Sequence, residues 1–155
     1  MIRITRRILL TAGLPVLVGL AGTGRTAPSE VVLYKNPWCG CCEGWARHME
    51  AAGFTVRREN VEDLAPVKRM AGVPAPLEAC HTALVDGYVV EGHVPAAAVR
   101  RLLEARPDAL GIAAPGMPPG SPGMPAPEPA TYTVYLFRTG GVSPFARFRG
   151  TVPLD

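Results

Sequence analysis

Three of the four cysteines in this chain stand within four consecutive residues, Cys39-Gly40-Cys41-Cys42, and the fourth, Cys80, lies far from them in the sequence. Cysteine sulfurs act as nucleophiles, form disulfides and bind soft metal ions. Three cysteines so close together cannot all staple distant segments of the chain, and Cys80 is the one distant partner. Most of the cysteine content therefore indicates chemistry at one site rather than a set of structural disulfides.

The chain around the cluster predicts a strand followed by a helix. Residues 31–35 form a short apolar, β-branched run typical of a buried strand, and Asn36-Pro37 ends it. A helix is predicted over 43–52. Cys39 and Cys42 therefore stand at C-x-x-C spacing, directly after a strand and at the start of a helix. Free backbone N–H groups and the helix dipole stabilise a thiolate there, which suits redox chemistry or metal binding.

Strands and helices alternate along the rest of the chain. The remaining predicted elements are a strand over 54–58, a helix over 60–71, a hairpin over 82–91, a helix over 96–106 and a hairpin over 132–148. Right-handed crossover connections turn this order into a mixed sheet flanked by helices. We therefore predict an α/β fold of the thioredoxin-like type. Prolines and glycines crowd residues 111–130, which predicts an extended loop between the last helix and the C-terminal β-hairpin.

The N-terminal residues are typical of an export signal. Arg3, Arg6 and Arg7 precede an apolar run that is too short and too interrupted by glycine and proline for a membrane span. The paired arginines favour the twin-arginine route, with an ordinary secretory signal or an uncleaved anchor as alternatives. We predict a periplasmic protein. Its predicted organisation is a signal over 1–27, a thioredoxin-like metal-binding domain over 28–110, the Pro/Gly/Met loop over 111–130 and a hairpin over 131–155 packed on that domain.

The composition excludes two broad classes of protein. A hydrophobic content of 48% over 155 residues excludes wholesale disorder. The net charge of +3 equals the number of arginines in the first seven residues, so the body of the chain is neutral. Nucleic-acid binding needs a clustered basic surface on the folded body, and we therefore predict no nucleic-acid partner.

The predicted fold should carry Cys80 to the other three cysteines, because this residue lies just before the third predicted strand, two residues ahead of the 82–91 hairpin. Four converging thiolates favour a soft metal ion. A tetrahedral zinc site normally uses two separated cysteine pairs, and adjacent side chains such as Cys41 and Cys42 diverge. Cuprous ions accept two or three sulfurs and can be bridged into a cluster. We therefore favour Cu(I), with one ion or several, over zinc and over a site without metal.

A second hypothesis is a thiol–disulfide oxidoreductase. The run Trp38-Cys39-Gly40-Cys41-Cys42 resembles the thioredoxin signature Trp-Cys-Gly-Pro-Cys, with Cys41 where proline would be. In this hypothesis Cys39 and Cys42 are the redox pair, and Cys41 and Cys80 are resolving or regulatory thiols. Against it, thioredoxin-like enzymes place a cis-proline before the third strand, and Cys80-His81-Thr82 contains none. We predict a binding protein rather than a turnover enzyme, and electron transfer at bound copper stays open.

Other side chains near the predicted site offer nitrogen or thioether donors. His81 directly follows the distant cysteine and is predicted either to ligate or to tune the site through a hydrogen bond. For His93, a capping or loop role at a helix start competes with ligation. Met117 and Met124 are soft donors that could cover or feed a cuprous site, or could anchor the loop. His48 in the first helix is predicted to be a surface or packing residue.

Several motifs, taken in order, resemble the CopG-type family. They are Tyr34 to Cys42, Cys80-His81-Thr82-Ala83, Gly87 to Pro95 and Gly116 to Met124. Members of this family are thioredoxin-like periplasmic proteins linked to copper resistance. The resemblance implies a copper site on Cys39, Cys41, Cys42 and Cys80, and a role in handling copper or in changing its redox state. The expected partners are copper ions, other periplasmic copper-handling proteins and a membrane copper exporter.

Overall fold

The computed structural model describes residues 29–155, so the predicted export signal over 1–27 lies outside the described residues. The α-helices are α1 (Gly40–Ala51), α2 (Ala65–Met70) and α3 (Ala96–Ala105). The strands are β1 (Glu30–Lys35), β2 (Thr55–Asn60), β3 (His81–Val85), β4 (Tyr88–Gly92), β5 (Gly111–Ala114), β6 (Thr131–Arg138), β7 (Gly141–Arg149) and β8 (Val152–Pro153). One turn of 3₁₀-helix, Ala75–Leu77, precedes β3.

The eight strands form one mixed sheet in the order β2-β1-β3-β4-β5-β6-β7-β8. β1 and β2 are parallel and are joined through α1, and β4 and β5 are parallel and are joined through α3. The other neighbouring strands run antiparallel. Each parallel pair thus has the helical crossover that parallel strands require. The predicted α/β fold, with a mixed sheet flanked by helices, is confirmed.

Apolar side chains cover both faces of the sheet. The larger core packs α1 and α3 against one face and contains Trp45, Leu102 and Ile112, each fully buried. Ala113, the strand neighbour of Ile112, belongs to a second cluster with Phe137. Successive strand residues point to opposite faces, so this second cluster lies on the other side of the sheet.

Gly111–Ala114, predicted as the start of the loop, instead form strand β5. All four residues are buried between β4 and β6. A Cβ at position 111 would lie 2.0 Å from the Val89 carbonyl oxygen, so glycine permits the close pairing with β4. The high proline and glycine content of 111–130 as a whole concealed this four-residue apolar strand.

Helix α2 is shorter than the predicted helix over 60–71. Asn60 is the last residue of β2, and the helix spans Ala65–Met70. The Asp63 side chain accepts a hydrogen bond from the Ala65 N–H at 2.9 Å, and Pro66 occupies the first turn, where its missing N–H costs nothing. The helical spacing of Leu64, Val67 and Met70 predicts that all three face the core, but Met70 is 90% exposed.

The C-terminal hairpin extends the sheet. β6 pairs with β5 and with β7, and Tyr132 stacks on Phe148 within the hairpin. The hairpin thus contributes Val134, Leu136 and Phe148 to the larger core. In the part of the chain from 29 to 155, no helix is long and apolar enough to cross a membrane.

The packing of α3 yields a prediction for stability. Leu102 is fully buried, so Leu102→Ala removes apolar contacts and leaves a cavity that lowers the free energy of unfolding by about 2–5 kcal/mol. Leu154→Ala is the matched control, because Leu154 is 49% exposed, and its cost should stay within about 0.5 kcal/mol. Urea denaturation measures both values, and equal costs would contradict this account of the core.

Candidate metal centre

Helix α1 begins inside the cysteine cluster. Cys39 is its N-cap residue, and the Cys42 backbone N–H donates a hydrogen bond to the Cys39 sulfur at 3.3 Å. A sulfur at this position also lies at the positive end of the helix dipole, which favours a thiolate. Cys39 and Cys41 are partly exposed, whereas Cys42 is fully buried against the core.

The pairing of β3 brings Cys80 to the start of α1. His81 pairs with Lys35 at the end of β1, so the residue before β3 lies next to the connection from β1 to α1. The Cys80 sulfur is 3.9 Å from the sulfur of Cys41 and 3.8 Å from that of Cys42. The sulfurs of all four cysteines lie within 4.8 Å of one another. The four cysteine sulfurs therefore converge on one spot, as the sequence predicts.

Two of the four cysteines are oxidised in this structure. Cys39 and Cys42 form a disulfide, and Cys41 and Cys80 are free thiols. The Cys41 sulfur lies 3.4 Å from that of Cys39, at one end of the disulfide. A disulfide sulfur cannot serve as a thiolate ligand, so this state offers a metal ion two thiols. Reduction of the disulfide raises that number to four.

The metal-free Cys80 is a protonated thiol at neutral pH. Burial, together with the neighbouring Cys41, raises the pKa of Cys80 to about 12. A soft metal ion that binds Cys80 must therefore displace its proton, which makes metal affinity depend on pH.

Two buried histidines contact the Cys80 sulfur. The His93 Nε2 atom lies 3.0 Å from it, and His93 Nδ1 donates to the Pro122 carbonyl oxygen at 2.7 Å. This hydrogen bond leaves the Nε2 lone pair facing the Cys80 sulfur, which is the orientation of metal-ligating histidines. His81 Nδ1 lies 3.3 Å from the same sulfur, and its Nε2 is buried without a hydrogen-bond partner. Thiols and imidazoles together are a donor set that suits copper.

His48 has a structural contact instead. Its Nε2 accepts a hydrogen bond from the Ala96 N–H at 3.0 Å and so satisfies a free amide at the start of α3. Burial lowers the pKa of His48, which keeps this nitrogen available as an acceptor.

The loop after β5 packs against the cysteine cluster. A Cβ on Gly44 in α1 would lie 2.7 Å from the Gly123 Cα, and Gly123, with φ +84°, would place a Cβ 2.2 Å from the Cys41 carbonyl oxygen. Two glycines thus let the loop lie directly on the first turn of α1. Met124 follows this contact and is partly buried, and Met117 is 54% exposed. Ligation by either methionine stays a prediction.

Charged residues around the site were missed at the sequence level. Lys35 is buried, and its Nζ lies 3.1 Å from a carboxylate oxygen of Glu43 in α1. Lys68 and Glu91 form another ion pair, and in this one both side chains are buried. The sequence does indicate that Lys35 is buried, because it lies two residues after Leu33 and four after Val31 and so shares their inward face of β1. A charge on that face requires a partner.

Comparison with known proteins gives consistent matches. A family model described as "protein of unknown function, DUF411" matches residues 77–124, which include Cys80, His81 and His93. Two solved structures, titled "Copper resistance protein copG", Form 1 and Form 2, are each 42% identical to this chain with a TM-score of 0.74. The match to Form 1 spans 79% of this chain and 99% of the Form 1 chain. The match to Form 2 spans 78% of this chain and 98% of the Form 2 chain. Among curated proteins, none matches.

The histidines predict a loss of stability in mild acid. Burial lowers the pKa of His48, His81 and His93 below the ordinary value of 6.5. As pH falls through 6.5, the unfolded histidines bind protons more readily than the folded ones, so protonation favours unfolding. Stability of the metal-free protein should therefore fall between about pH 7.5 and pH 5.5. Burial raises the pKa of Glu91, and this shift acts in the opposite direction once the pH falls below that pKa.

Urea denaturation at a series of pH values measures this dependence. His48→Gln is the control, because it keeps a hydrogen-bond acceptor for Ala96 and removes one titrating group, and its pH dependence should be smaller. An unfolding free energy that rises on acidification over this range would contradict the lowered pKa values of the three histidines.

Proposed function

Because the chain belongs to the CopG family of copper resistance proteins, we propose that it binds copper as Cu(I) through its cysteine thiolates and acts in copper tolerance. The observation that supports this proposal best is the convergence of four cysteine sulfurs within 4.8 Å. Thiolates are soft ligands that select cuprous ions, and a chain with this cluster can hold copper while limiting its reactions with other molecules.

The spacing of the sulfurs favours copper over zinc. Three of them come from one turn at the start of α1, at Cys39, Cys41 and Cys42, rather than from two separated pairs. Sulfur–sulfur distances of 3.4, 3.8 and 3.9 Å allow one sulfur to contact more than one ion. Cuprous ions accept two or three such ligands, so the site can hold more than one ion. His93 is proposed as a further ligand through Nε2, and His81 as a ligand or a partner of Cys80.

The disulfide suggests how the site handles electrons. When the Cys39 and Cys42 thiols reduce two cupric ions, each ion gains one electron, the two sulfurs form the disulfide, and two protons are released. The free Cys41 and Cys80 thiols remain beside the product Cu(I) ions. In this proposal copper is cargo and electron acceptor, and an external dithiol of a partner protein restores the reduced pair.

A thiol–disulfide oxidoreductase is the second candidate function. The disulfide at C-x-x-C spacing favours it, because Cys39 is partly exposed at a helix N-terminus and Cys42 is buried, which leaves one sulfur open to attack. The additional sulfurs of Cys41 and Cys80, both within 4 Å of a sulfur of this pair, favour the copper proposal instead.

The cellular location is also part of the proposal. The export signal predicted over 1–27 and the copper resistance of the structural relatives support a periplasmic protein. There it would receive copper from other copper-handling proteins and pass it to an export system of the membrane.

Copper content tests the proposal. The protein is purified without oxygen, reduced, loaded with Cu(I), separated from free copper and analysed for metal. We expect about one equivalent of copper or more per chain. Loss of a residue that only hydrogen-bonds a metal ligand lowers metal affinity roughly 10–100-fold, so Cys41→Ser and Cys80→Ser, which each remove a proposed ligand, should lower it by at least that much. Met70→Leu removes an exposed thioether from α2 and is the control that should bind as the wild type does.

The same variants separate the two candidate functions. If the metal-free protein reduces a disulfide substrate efficiently, Cys41→Ser keeps that activity, and no copper is retained, the oxidoreductase is the correct assignment. Copper retention that depends on Cys41 and Cys80 supports the copper site.

A further inference from the structure

A buried polar cluster lies beside Cys80 that the proposed copper site does not use as a ligand. It consists of Lys68, Thr82 and Glu91, which are almost or completely buried. The Lys68 Nζ donates to Glu91 Oε1 at 2.5 Å and to the Thr82 hydroxyl oxygen at 3.1 Å. The Thr82 hydroxyl donates to Glu91 Oε2 at 2.7 Å. Each member thus bonds both others, and the charges of Lys68 and Glu91 are paired.

The Glu91 carboxylate also holds the segment on the other side of Cys80. Its Oε1 accepts a hydrogen bond from the Ala79 backbone N–H at 2.6 Å. One carboxylate therefore binds the residue before Cys80 and the side chain two residues after it. Gly92, next to Glu91, permits this approach, because a Cβ there would lie 2.5 Å from the Cβ of Ala79.

A buried ion pair of this kind adds little net stability. Desolvation of both charges offsets their attraction, and apolar replacements of similar volume are often neutral or stabilising. What the cluster does provide is a defined position, since each hydrogen bond has a direction and a length. Cys80 needs such a constraint because it is the one cysteine of the four that does not belong to the start of α1. A displacement of about 1 Å is enough to spoil a ligand geometry.

We propose that Lys68, Thr82 and Glu91 are positioning residues that clamp the chain on both sides of Cys80 and thereby set the location of its sulfur at the copper site. This inference rests on the proposed copper function. None of the three side chains ligates the metal, and their effect on copper passes through Cys80.

Thr82→Val tests the clamp with the smallest change. Valine has the shape of threonine but lacks the hydroxyl that accepts a hydrogen bond from Lys68 and donates one to Glu91. Thr82→Ser restores the hydroxyl and is the rescue variant. Val134→Ala is the control for stability alone, because Val134 is fully buried in β6 and belongs to the core rather than to this cluster. A double variant, Lys68→Met/Glu91→Leu, removes the clamp without leaving an unpaired charge.

Two measurements are made on each full-length variant. Hydrogen–deuterium exchange at the Ala79 amide of the metal-free protein reports whether the clamp is released. Competition with a chromophoric Cu(I) chelator reports the affinity of the reduced protein for Cu(I). For Thr82→Val and the double variant we expect faster exchange at Ala79 and an affinity lowered about 10-fold or more. Thr82→Ser and Val134→Ala should keep the affinity of the wild type.

The inference is overturned if both clamp variants bind Cu(I) as tightly as the wild type, whether or not exchange at Ala79 changes. It is also overturned if Val134→Ala loses as much affinity as Thr82→Val, because the effect then follows general stability. If the wild-type protein itself binds no Cu(I), the result refutes the proposed copper function on which this inference rests.

Discussion

The antiparallel pairing of β3 with β1 and with β4 is the constraint on which the candidate centre depends. Its register with β1, Lys35 opposite His81, carries Cys80 to the first turn of α1. Its register with β4, Thr82 opposite Glu91, brings the Glu91 carboxylate to the chain on either side of Cys80. His93 follows β4 directly, so the same ladder delivers a nitrogen to the same sulfur. A slip of one residue in this ladder would turn these side chains to the opposite face.

The four sulfurs have two chemical states with different capacities. With Cys39 and Cys42 joined, two thiols and two histidines face the site, and with the disulfide reduced, four thiols do. Redox state and metal capacity are therefore linked within one group of atoms. The loop after β5 lies on this group through the contact of Gly44 with Gly123, and it orients His93 through the Pro122 carbonyl.

Much of this arrangement could be predicted from local sequence. The apolar strand and the C-x-x-C spacing predict a helix directly after the cysteines, over 43–52, and α1 begins three residues earlier, at Gly40. The Asp86-Gly87 turn predicts the hairpin that follows Cys80. Features that depend on tertiary packing could not be predicted in this way. β5 is four residues long and is stabilised by its two neighbours, and the pairing of Lys68 with Glu91 joins residues 23 positions apart. Neighbours in a strand point to opposite faces, but Cys80 precedes β3, so the His81 ring can contact the Cys80 sulfur.

X-ray absorption at the copper edge, on the reduced protein loaded with Cu(I), tests the central claim most directly. The account predicts a first coordination shell dominated by sulfur, with a smaller nitrogen contribution that disappears in His93→Ala. It also predicts that fewer sulfur neighbours per copper remain in Cys80→Ser. A first shell made only of nitrogen and oxygen, unchanged in both variants, would show that copper binds elsewhere and would contradict the account.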